Sequence, residues 1–156
     1  MGGTRNCYFK NYLMPKILLV SSEVHKQLAS EQLNLCLPLV KNAGYDYQVE
    51  LLQAGAYEIP FVINTYHQNK SFDGYIALGL ILKANLEHYK NIMSHIRYCF
   101  TQFALNDIIV GNGIVSGSTT EELREKIHNS NPCLSAYPSA FNAVDCLIKL
   151  RNKITL

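Results

Sequence analysis

The sequence predicts an α/β domain, a three-layer αβα sandwich on a four-stranded parallel sheet. Three observations carry this. Short, nearly uninterrupted apolar runs recur along the chain, and segments of ten or more residues with a helical apolar stripe separate them. The third is composition: 48% of the 156 residues are hydrophobic, enough for a single core without staples. Crossovers joining such strands are right-handed.

The first strand is "KILLV", directly after Pro15, and its continuous apolar character marks it as buried on both faces. Residues 1–15 mix charged, polar and aromatic groups and are set apart as an N-terminal arm, leaving 16–156 as one domain. From about Lys26 to Ala43, the residues Leu33, Cys36, Leu37 and Val40 fall at i, i+3, i+4 and i+7, a helical stripe that Gly44 stops. "YQVELL" is the second strand, the segment from about Tyr57 to His67 the second helix, and "GYIALGLIL" the third strand.

Tyr89, Ile92, Met93, Ile96, Phe100 and Phe103 mark the next helix, and "DIIVGNGIV" the fourth strand. Thr119 with Glu122 forms a capping box for a helix beginning near Thr120. "HNSNPCLSAYPS", with two prolines, breaks the helical pattern and reads as a loop before a last helix carrying Phe141, Val144, Leu147 and Ile148.

Charge and cysteine usage exclude several classes. Net charge is +2, and the 14 Lys and Arg residues are dispersed rather than striped, which argues against a nucleic-acid partner. The first fifteen residues lack the apolar core of a signal peptide, and no run approaches the roughly 18 apolar residues of a membrane span. A cytoplasmic location without a membrane partner is the expectation. Cys7, Cys36, Cys99, Cys133 and Cys146 form no C-x-x-C pair and have no histidine at metal-ligand spacing, so they read as reduced thiols, mostly core filler, with no metal site.

In a parallel sheet, ligands bind beyond the carboxyl ends of the strands. That rule selects "SSEVH", "AGAYEIP", "LKANLEH" and "GNGIVSGS". In the second, Gly55 is expected to permit a tight turn, with first-turn N–H groups of Ala56, Tyr57 and Glu58 free for a polar ligand; the plainer reading is a well-capped helix start with an acidic first turn. In the third, His88 stands at a strand-to-helix junction five positions after Lys83, a pairing suited to proton transfer beside a held anion, or else an ordinary helix-start histidine. His25, His67, His95 and His128 are expected to lack convergent partners. "GNGIVSGS" has neither G-x-G-x-x-G nor the Walker spacing, and the chain carries no G-x-S-x-G elbow and no H-E-x-x-H motif.

Taken together, "GAYEIP", "FDGYIALGLILK", "EHY", "GNGI" and "NAVDCLIKL" resemble the lumazine synthase family of riboflavin biosynthesis over roughly residues 16–150. The resemblance implies a flavodoxin-like fold and a transferase, a 6,7-dimethyl-8-ribityllumazine synthase. It would condense 5-amino-6-(ribitylamino)uracil with 3,4-dihydroxy-2-butanone 4-phosphate, with small-molecule substrates and no cofactor. It also implies roles. Ala56, Tyr57 and Glu58 bind the ribityl chain, Leu80, Ile81 and Leu82 contact the pyrimidine through backbone groups, Asn112 of "GNGI" joins the substrate-binding set, and His88 is the proton-transfer histidine. The phosphate loop falls on Lys83, Asn85 and Leu86, and the distal phosphate cation on Lys126.

Departures from the family pattern are specific. Val24 stands where an aromatic residue stacks on the heterocycle, and Glu23 replaces an arginine. The phosphate loop reads Lys83-Ala84-Asn85-Leu86-Glu87-His88, lacking a glycine and a hydroxyl, and Lys126 offers a point charge without the fork of arginine. Family members form pentamers with sites between subunits, the arm adding a strand to a neighbour. Members that pack further into shells carry a compact connection before the last helix, so with its longer proline-containing stretch the resemblance implies a homo-oligomer that is a pentamer or a dimer of pentamers. Besides the enzyme, two readings stand: a weakened or inactive homologue serving as a flavin- or pteridine-like ligand-binding or scaffold pentamer, and another ligand-binding enzyme of this architecture.

Overall fold

The computed structural model describes residues 14–70, 72–129 and 136–155. Its four strands are β1 (Lys16–Ser22), β2 (Asp46–Leu52), β3 (Gly74–Leu82) and β4 (Val110–Gly117). They pair in parallel in the order β2-β1-β3-β4. Five helices connect and flank them: α1 (Lys26–Asn42), α2 (Ile59–Asn69), α3 (Leu86–Leu105), α4 (Thr120–His128) and α5 (Ala136–Ile154). The expected three-layer αβα architecture is present.

Period-two alternation in the central strands divides the core. Leu18, Val20, Tyr75 and Ala77 face one layer with Ile59 and Ile63 of α2 and Ile96 and Phe103 of α3. Ile17, Leu19, Ile76 and Leu78 face the other with Cys36 and Val40 of α1 and Phe141, Val144 and Ile148 of α5. Leu80 and Val115 reach a third cluster with Leu123 and Ile127 of α4. Because β1 and β3 are central and covered on both faces, they read as apolar runs rather than alternating ones.

Several expectations shift. The fourth strand, expected over residues 107–115, runs Val110–Gly117. Asp107 turns at φ 58°, and Ile108 and Ile109 are buried ahead of the assigned strand, the Ile109 carbonyl already accepting the Tyr75 N–H of β3 at 2.9 Å, so the apolar run begins before the ladder does. The loop drawn through Ser139 ends earlier, since α5 starts at Ala136 with Pro138 in its first turn, where a missing N–H costs no helical bond. Residues 130–135 of that stretch, and residues 1–13 of the arm, lie outside the described residues. Among the three described cysteines, only Cys36 is core filler, its thiol pushed up to about 12 by burial; Cys99 is half-buried and Cys146 exposed.

Candidate active site

Three strand ends build one cleft. At the end of β1, the Ser22 hydroxyl donates to the Ala54 carbonyl at 2.6 Å and the Glu23 N–H to the Leu52 carbonyl at 2.8 Å, tying "SSEVH" to the end of β2. After β2, Ala56–Glu58 form a single 3₁₀ turn that leads into α2. Gly79 of β3 makes room for it: a methyl there would meet Ala56 Cβ at 3.1 Å and Ile59 Cδ1 at 3.2 Å. The turn can therefore sit against the sheet.

Gly55 does not act as expected. Its backbone is extended, at φ −76° and ψ 173°, a conformation open to any residue. Its contribution is space, because a methyl would lie 3.2 Å from Glu58 Oε2, where the carboxylate folds back. The Glu58 N–H is also not free: it donates to the Gly55 carbonyl at 3.2 Å. That leaves the Ala56 and Tyr57 N–H groups as the ones preceding the first bond of the turn.

After β3, Asn85 caps α3, its Oδ1 accepting the His88 N–H at 2.9 Å. A cleft of about 450 Å³ is lined by Val24, His25, Gly55, Ala56, Tyr57, Glu58, Leu80, Ile81, Leu82, His88 and Ile92. Residues from four separate stretches of sequence thus share one wall.

A family model described as 6,7-dimethyl-8-ribityllumazine synthase matches residues 14–152. The chain belongs to this family. Among proteins named 6,7-dimethyl-8-ribityllumazine synthase, that of Jannaschia sp. is 26% identical over 111 residues, 71% of this chain. The chain spans 62% of that relative's length. That of Novosphingobium aromaticivorans is 25% identical over 103 residues, 66% of this chain and 73% of the relative. That of Erythrobacter litoralis is 23% identical over 141 residues, 90% of this chain and 98% of the relative.

Set on the lumazine synthase pattern, the residues divide in two. Val24, Ala56, Tyr57, Glu58, Leu80, Ile81, Leu82 and His88 line the cleft together. Lys83, Asn85, Leu86, Asn112 and Lys126 are not among its lining residues. Asn112 lies within β4, opposite Ala77, and its Oδ1 accepts the Ile114 N–H at 3.1 Å. Leu86 is exposed at the start of α3.

The two lysines share the neighbourhood of Glu122 in the first turn of α4. Lys83 Nζ sits 5.2 Å from the Tyr89 ring centroid, a cation–π contact. Lys126 Nζ donates to the Ser116 carbonyl at 2.8 Å and to Glu122 Oε1 at 2.6 Å. The Lys126 hydrogen bond, with the Ser118 N–H, holds the Glu122 carboxyl below its ordinary range, and the Lys83 charge adds to this. Here the expected capping box forms in altered shape: Thr119 Oγ1 accepts the Glu122 N–H at 3.1 Å, while Glu122 Oε2 reaches the Ser118 N–H at 2.7 Å.

Of the four histidines expected to lack convergent partners, three have one. His25 lines the cleft, and its side chain makes no cap bond to α1. His95 stacks on Tyr57, His67 Nδ1 lies 3.4 Å from the Tyr75 hydroxyl, and His128 Nε2 lies 2.9 Å from Glu31 Oε2. His25 and Ile92 are the lining residues that sequence reasoning missed. Ile92 was recoverable, since it follows His88 by one helical turn. Among the described residues, no group of three or more His, Cys, Asp or Glu side chains is placed to hold a metal, and no helix is long and apolar enough to cross a membrane.

Proposed function

We propose that the chain is a lumazine synthase of riboflavin biosynthesis, joining 5-amino-6-(ribitylamino)uracil and 3,4-dihydroxy-2-butanone 4-phosphate into 6,7-dimethyl-8-ribityllumazine with release of phosphate and water. The observation that carries this is the meeting of the Ala56–Glu58 turn, the Leu80–Leu82 strand end and the His88 imidazole on one cleft. The turn's N–H groups and the Glu58 carboxylate hold the ribityl hydroxyls. Backbone groups at Leu80–Leu82 pair with the pyrimidine edge, which fixes the ring's register against the sheet.

His88 exchanges protons with the attacking amine and with the oxygen that leaves as the first water when the imine forms, then with the carbon skeleton as phosphate departs, before the ribitylamino nitrogen closes on the remaining carbonyl and a second water leaves. Lys83, beyond the same strand end, attracts the phosphate, and Lys126 adds charge behind it. The assembly that goes with this reading is a cytoplasmic homo-oligomer, a pentamer or dimer of pentamers, in which a neighbour completes the site.

A second reading has its own observation. Val24 brings no ring to the cleft, and Lys126 is already held by Glu122 and Ser116. These suit a family member that binds a flavin- or pteridine-like ligand without turnover. Incubating the purified chain with both substrates and following lumazine fluorescence decides between them. Product above the uncatalysed rate supports the enzyme; binding of the lumazine with no product supports the binding module.

A further inference from the structure

Tyr57 lies flat on His95 of α3, ring centroids 3.9 Å apart and planes 20° from parallel. Cys99, one turn along the same helix, places its sulfur 3.8 and 3.7 Å from the two imidazole nitrogens. His95 thus has both a sulfur and a phenol ring against it. Tyr57 nevertheless remains 45% exposed and lines the cleft, which leaves its side chain accessible to a ligand there.

We propose that Tyr57, backed by His95, is the aromatic platform of this cleft, stacking on the planar heterocycle of the ligand in place of the ring that Val24 does not supply. This rests on the function proposed above and names a contact within that site. A lone tyrosine on a turn would lose rotamer freedom each time it stacked. The His95 stack removes that freedom beforehand, so Tyr57 meets the ligand already oriented. In this arrangement Tyr57 touches the ligand, and His95 is a positioning residue acting through it.

The test titrates 6,7-dimethyl-8-ribityllumazine into the full chain and reads quenching of its fluorescence, with Tyr57→Leu, Tyr57→Phe, His95→Ala and His95→Phe beside the wild type. Losing one aromatic contact is expected to weaken binding by Tyr57→Leu by about 3- to 10-fold and to reduce the quenching at saturation. Tyr57→Phe should bind as the wild type does. His95→Ala should weaken binding part-way, and His95→Phe, which keeps an aromatic ring for the stack, should restore it. This rescue separates positioning from a merely structural role. Equal affinity and equal quenching for wild type and Tyr57→Leu overturn the platform while leaving the proposed function intact. If Tyr57→Leu does not fold, the His95 pair decides: no difference between alanine and phenylalanine overturns it. Failure of the wild type to bind the lumazine at all overturns the proposed function itself.

Discussion

Asn85 accepts the His88 N–H at 2.9 Å, so the carboxamide that starts α3 also fixes the residue carrying the cleft's imidazole. Removing it exposes an orphan donor at the helix start. Asn85→Ala is expected to cost about 1 kcal/mol of stability, whereas Asn85→Asp or Asn85→Ser, which keep an accepting oxygen, should cost a few tenths at about the same position. Urea unfolding measures the first effect. Turnover should fall in Asn85→Ala and be retained in Asn85→Ser, because the helix start is then preserved.

A close approach of β4 to α5 sets the second expectation. A methyl on Gly111 would lie 2.3 Å from the Ala140 carbonyl oxygen and 2.9 Å from Val144 Cγ2. Backbone cannot rotate out of the way as a side-chain tip can. Gly111→Ala should therefore destabilise by about 1–3 kcal/mol or more through overpacking, seen as a lower urea midpoint at an unchanged slope.

The fold was legible in the chain to the extent that burial writes a local pattern. "KILLV" and "GYIALGLIL" are central strands covered on both faces, so their apolar runs are unambiguous. Where burial and secondary structure part company, the pattern misleads, as at Ile108, buried but ahead of the strand that begins at Val110. The motif positions Ala56, Tyr57, Glu58, Leu80, Ile81, Leu82 and His88 reach one cleft because they sit at strand ends on one edge of the sheet. Tyr57 on His95 was not legible, since a side-chain pair made across two elements leaves no periodic trace in either.

Acid stability gives a third expectation. The Lys126 hydrogen bond and the Ser118 N–H hold the Glu122 carboxyl below its ordinary value of 4.5. A carboxyl depressed in the folded state stabilises fully above its unfolded value, and the contribution disappears as pH falls through the folded one. Between neutral pH and about pH 5 Glu122 should therefore add no pH dependence, and below that it should. Glu122→Gln should flatten the acid limb of stability against pH; an acid limb identical to that of the wild type would show that the Lys126 contact contributes nothing.

Lys83 is exposed, its ammonium group 5.2 Å from the Tyr89 ring centroid and its charge felt by Glu122. Such a charge steers an anion weakly and is screened by salt. Lys83→Gln is expected to raise KM for the phosphate-bearing substrate by about two- to fivefold while leaving kcat nearly unchanged, the range of an exposed ion pair. Adding salt to the wild type should reproduce the effect, and the variant should lose most of its salt dependence. An effect on kcat instead would place Lys83 on the departing phosphate in the transition state.

His88 occupies the first turn of α3, exposed, with its imidazole on the cleft. An exposed side chain contributes little to folding, so His88→Ala should change stability by no more than about 0.5 kcal/mol. If it moves protons during imine formation and phosphate release, its loss should lower turnover by about 10- to 1000-fold. The lost activity should come with a changed pH–rate profile. Steady-state assays of lumazine formation across pH measure both. Turnover and pH profile matching the wild type would take His88 out of the mechanism and leave His25, the other imidazole on the same wall, to be tested in its place.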